Sequence, residues 1–83
     1  MMMYHSNPKA IVNIDESITD EFVYEVTVNV ESKVATCCYQ TTFNLKQPEI
    51  SIKRAVKLSG IQDKDIIKIT VTKISQLGFS QIK

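Results

Sequence analysis

An alternating run between Phe22 and Leu45 constrains this chain more than any other feature of its sequence. Phe22, Tyr24, Val26, Val28 and Val30 fall on one side of an extended chain, with Val23, Glu25, Thr27, Asn29 and Glu31 on the other. That is the period of a strand with one buried face and one wet face. The alternation resumes with Ala35, Cys37, Tyr39, Phe43 and Leu45 set against Val34, Thr36, Cys38, Gln40 and Thr42. Between the runs, Glu31-Ser32-Lys33 is short enough for a hairpin link, although it carries neither Asn-Gly nor Asp-Gly. The stretch predicts one long β-hairpin.

The flanking segments predict what packs on it. Residues 9–14 read as a short first strand, and residues 15–21 as a loop crowded with like charge and side-chain acceptors. Pro48 suits the first position of a helix, where its missing N–H has no partner to lose, and Glu49 complements the positive end of the helix dipole. Ile52, Ala55, Val56 and Ser59 recur at helical spacing as a buried stripe, and Gly60 supplies a left-handed stop. A helix of about three turns is held by packing rather than by its own propensity. Residues 66–74 read as a strand with Ile67, Ile69 and Val71 against Lys68, Thr70 and Thr72. The tail from Ser75, with Leu77, Phe79 and Ile82 around Gly78, fits either a last irregular strand or a flap over the sheet.

The expected fold class is therefore α+β, a four-stranded, mainly antiparallel sheet in the order β-β-β-α-β with one helix on one face. A three-strand meander followed by a right-handed crossover sets the last strand parallel to the first. The 83 residues make a single domain, with residues 1–8 and 76–83 read as flexible ends. One core of this size leaves a margin of only about 3–5 kcal/mol.

Cys37 and Cys38 are the only cysteines and are adjacent, which offers no disulfide framework and no usual metal-ligand spacing. Their places in the strand put Cys37 in the core and Cys38 on the open face. They read as reduced thiols of a cytosolic protein. The start, Met1-Met2-Met3-Tyr4-His5, has neither the basic segment nor the apolar run of a signal peptide. No window approaches the roughly 20 apolar residues of a membrane span. A cytoplasmic location is expected. Eleven isoleucines against three alanines, and nine lysines against one arginine, resemble the product of AT-rich coding, as in phages, mobile elements and low-GC bacteria.

Catalysis is not expected. The sole histidine, His5, lies in a start with nothing to hold it. Asp15, Glu16, Asp20 and Glu21 match no calcium loop and have no glycine to turn the chain around an ion. With glycine only at positions 60 and 78 there is no phosphate cradle, and Cys38 has no nameable base. No cofactor or metal is expected.

Binding remains, in two classes. Charge is segregated: residues 1–45 hold six acids against two lysines, and residues 46–83 hold eight bases against three acids. Such opposite lobes favour oriented association. The open sheet face offers Glu25, Thr27, Asn29, Thr36, Gln40 and Thr42 to a protein partner, and edge strands invite a partner strand or a second copy as a homodimer. This reading makes the chain an accessory or inhibitor-like module. The alternative is non-specific nucleic-acid binding by Lys46, Lys53, Arg54, Lys57 and Lys64 on and around the helix. One arginine leaves little for bidentate reading of guanine. Tyr24, Tyr39 and Phe43 fall on the helix-covered face, away from any base-stacking role.

Overall fold

The computed structural model describes residues 10–80. One sheet holds β1 (Ile11–Ile14), β2 (Phe22–Ser32), β3 (Thr36–Asn44) and β4 (Ile66–Phe79). The one α-helix among the described residues, α1 (Pro48–Ser59), joins β3 to β4 by way of a 3-10 turn at Asp63–Asp65. The α+β class and the β-β-β-α-β order are those the sequence predicts. The sheet is mixed: β2 pairs antiparallel with β3 and with β4, and β1 pairs parallel with β4, from Ile11↔Lys68 to Ile14↔Val71.

The expected meander is not formed. The spatial order is β1-β4-β2-β3, so β4 separates the first two strands. Length explains this. The 11 residues of β2 need a long partner on each side, and the four of β1 cannot supply one, whereas β4 has 14. β4 matches β2 from Phe22↔Phe79 to Ser32↔Ile66.

The inner face carries the core. Val26, Val28, Val30, Ile52 and Ile69 are wholly enclosed, with Tyr24, Phe43, Ala55, Ile66 and Val71 around them. Burying each large aliphatic side chain contributes about 1.5–3 kcal/mol. The helix lies over β2 and β3. Pro48 stands in its first turn, and Gly60 closes it at φ +71°, with its N–H donated to the Lys57 carbonyl. The loop after β1 shares the same face. Ile18 is buried in the core, and the Thr19 N–H donates to the Tyr24 hydroxyl at 3.1 Å.

Several boundaries differ from the sequence reading, two of them by enough to matter. The hairpin link is residues 33–35, because β2 runs on to Ser32. The Ser32 hydroxyl accepts the Val34 and Ala35 N–H groups and donates to the Ala35 carbonyl, doing the work for which an Asn-Gly turn is usually chosen. Along β4 the pairing slips three times against β2, leaving Ile67, Ile74 and Leu77 as extra residues. Each slip is a bulge that twists the strand and resets its alternation. Ile66 rather than Ile67 is therefore buried, at 3% exposed against 44%. The tail is strand, not flap: residues 76–79 finish β4, and the Ser80 N–H donates to the Glu21 carbonyl at 2.8 Å. Of the ends read as flexible, residues 1–8 and 81–83 lie outside the described residues.

Candidate interaction surface

Strand register assembles the outer face in rows. Thr36, Glu31, Lys68 and Ile11 form one row across β3, β2, β4 and β1. Cys38, Asn29, Thr70 and Asn13 form the next. Gln40, Thr27 and Thr72 follow, then Thr42, Glu25 and Ser75. The six residues that the sequence nominates for a protein partner thus share one surface. Thr36, Gln40 and Thr42 are exposed along the outer strand, and Glu25, Thr27 and Asn29 are half-buried between neighbours. Helix and loop both occupy the inner face, so among the described residues this face is left to solvent. Asn44 bounds one end, its Nδ2 donating to Ser80 Oγ at 2.8 Å.

The outer edge of β3 has a definable polarity. In an antiparallel ladder, alternate residues point both backbone groups at the partner strand and the rest point both away. The Ser32 N–H donates to the Ala35 carbonyl at 2.8 Å, which fixes the parity. Cys37, Tyr39, Thr41 and Phe43 bond to β2, and Thr36, Cys38, Gln40 and Thr42 face outward. Two bonds agree: the Ser51 hydroxyl donates to the Thr42 carbonyl, and the Gln47 N–H donates to the Asn44 carbonyl. Among the described residues, Thr36, Cys38 and Gln40 therefore have no strand partner for three N–H and three C=O groups. β3 has no charged residue, no proline and no slip against β2. Those are the devices by which edge strands are usually protected.

At the far end of this edge is an apolar groove of about 270 Å³, lined by Val23, Thr42, Phe43 and Ile50 together with Asn44, Gln47 and Ser51. At the near end, Val34 stands on the hairpin tip, 89% exposed.

The basic residues of the alternative site lie on and around α1, and Lys46, Lys53, Arg54 and Lys57 are all exposed. Arg54 donates to Thr41 Oγ1 at 3.2 Å, which turns it toward β3. Lys53 and Lys57 share a shallow groove of about 470 Å³ with Asp63. Lys46 is exposed in the turn after β3, and Lys64 lies in the 3-10 turn.

The acidic loop is bound internally. Asp15 Oδ1 accepts the Ser17 N–H and hydroxyl, and Oδ2 accepts the Lys73 N–H. These donors, led by the Ser17 N–H, hold the carboxyl down at about 2. Cys37 is half-buried on the inner face and Cys38 is exposed on the outer one; both are free thiols. The Tyr39 phenol is raised above its ordinary value, chiefly by loss of hydration and then by the neighbouring Cys37. Sequence alone could not reveal the direction of the β3 backbone, because that depends on where the turn closes. No protein-family model, curated protein or solved structure matches this chain.

Proposed function

We propose that this chain is a small non-catalytic binding module that docks on a protein partner through its outer sheet face and the adjoining β3 edge. The accessory or inhibitor-like role fits a surface that selects by shape and hydrogen bonding rather than by reaction. One observation carries the reading: a largely polar face, three to four strands wide and uncovered among the described residues, ends in an edge strand without charge, proline or bulge. Thr, Asn and Gln side chains there offer donors and acceptors at the regular spacing of a sheet, and an extended partner segment gains backbone bonds along β3.

The test is quantitative capture from the native host with the wild-type chain and with Thr27→Arg or Gln40→Arg. Both substitutions add bulk and charge to the outer face and leave the core intact. A stoichiometric protein retained by the wild type and lost with either variant supports the reading; capture of no such protein refutes it. The nucleic-acid alternative has its own arm. A gel shift that weakens steeply with salt and disappears in Lys53→Glu/Lys57→Glu would move the function to the helix.

A further inference from the structure

We infer that β3 pairs with β3 of a second copy, antiparallel, about a two-fold axis through Cys38. This rests on the part of the proposed function that takes β3 as a docking strand: it makes a second copy the occupant of that edge and leaves the outer face to the other protein partner. The free backbone groups are self-complementary about that axis. Thr36 meets the partner's Gln40, Cys38 meets the partner's Cys38, and Gln40 meets the partner's Thr36. Each outward-facing pair exchanges two bonds, about six in all. Shifting the axis by one residue either loses a pair or draws on the Thr42 carbonyl, which Ser51 already occupies. With no charge on β3, the two like strands meet without repulsion.

The ends of the strand favour this occupant over an unrelated peptide. Val34 lies four residues before Cys38, and Thr42, on the apolar groove, lies four residues after it. The two-fold therefore carries each exposed Val34 to the mouth of the partner's groove, beside Ile50 and Phe43. An exposed apolar tip and an open apolar groove, equidistant from one centre on the same strand, are what an isologous interface requires. The product is one eight-stranded sheet whose polar outer face is continuous across both copies.

Sedimentation equilibrium on the reduced chain tests this directly. A monomer–dimer equilibrium is expected, and Val34→Asp should weaken it at least tenfold. Gln40→Pro should do the same, because the Gln40 N–H lies outside the β2–β3 ladder and proline there removes two of the intermolecular bonds. Circular dichroism on each variant checks that the monomer stays folded, and Val34→Asp, placed in a loop, serves if the proline variant does not. Isotope-filtered NMR reads the register: Cys37 Hα should contact the partner's Tyr39 Hα, since non-bonded antiparallel pairs bring Cα atoms to about 4.5 Å. A monomer at every concentration overturns the inference, as does a dimer indifferent to both substitutions or one lacking that contact. A monomer that still captures a host protein in a Thr27→Arg-sensitive way sinks this inference alone, and a dimer that captures nothing sinks only the proposed function.

Discussion

Asp15 accepts the backbone N–H of Lys73 at 3.1 Å, joining the end of β1 to β4 across 58 positions of sequence. The Asp15 N–H donates in turn to the Val71 carbonyl at 2.9 Å. A strand of four residues is thereby lengthened by a side chain, which covers a β4 donor that β1 is too short to reach. The second carboxylate oxygen gathers the Ser17 N–H and hydroxyl, at 3.0 and 2.7 Å, and folds the loop that delivers Ile18 to the core. This carboxylate works as a staple.

Three donors to one carboxylate make stability depend on pH in a definite direction. The folded Asp15 carboxyl sits at about 2, against 3.8 ordinarily, so the unfolded chain binds the proton more readily. The stabilisation is complete above about pH 4 and is lost as pH falls through 2. Asp15→Asn should lower stability at pH 7 and flatten its fall between pH 4 and 2. Urea unfolding at pH 7, 4 and 2 checks both effects; parallel curves for the two proteins would mean that the staple contributes nothing.

At the opening of β4, simple alternation and the structure make opposite forecasts. Ile67 is in phase with Ile69 and Val71, yet the slip opposite Ser32 buries Ile66 instead. Ile66→Ala should cost about 2–5 kcal/mol, the usual range for a large buried aliphatic side chain. Ile67→Ala should cost under about 1 kcal/mol. Thermal unfolding of the two variants distinguishes them, and equal losses would place Ile67 in the core after all.

That contrast shows where legibility ends. The hairpin and the helix were readable because their signals are local: the alternation from Phe22 to Val30, Pro48 in the first turn, Gly60 at the end. Period-two parity also assigns Glu25, Thr27, Asn29, Thr36, Gln40 and Thr42 to a common face. The position of β4 between β1 and β2 depends on matching strand lengths, which no local pattern encodes. Bulges at Ile67, Ile74 and Leu77 leave no mark in composition, since the extra residues are as apolar as the buried ones. The outward set of the β3 backbone follows from a turn closed by one serine hydroxyl.

Gly60 tests the helix stop with steric effects absent. A β-carbon placed there has no neighbour within 4 Å, so space is not what demands glycine. Its φ of +71° is left-handed, which costs an L-residue roughly 1–2 kcal/mol. Gly60→Ala should lose about that much, and Gly60→Asn less, because asparagine tolerates this region better. Chemical denaturation resolves the order. An unchanged Gly60→Ala midpoint would mean that the chain relaxes the turn without cost.

The Ser32 hydroxyl offers the last prediction because its one donor and two acceptor sites are all used within the hairpin tip. The tip is exposed, so water can replace part of what Ser32→Ala removes, and the expected loss is about 0.5–1.5 kcal/mol. The pattern of loss matters more than its size. The Val34 and Ala35 amides should exchange faster with solvent, and the opening should extend to the Thr36 end of β3 before it reaches Phe43, which is clamped by the helix side of the core. Native-state hydrogen exchange follows each amide separately. Fraying that starts at the tip and dies out along β3 before Phe43 would identify the Ser32 bonds as the lock on the hairpin, whereas a uniform acceleration across β2 and β3 would show that the hydroxyl supports the whole fold and not the turn.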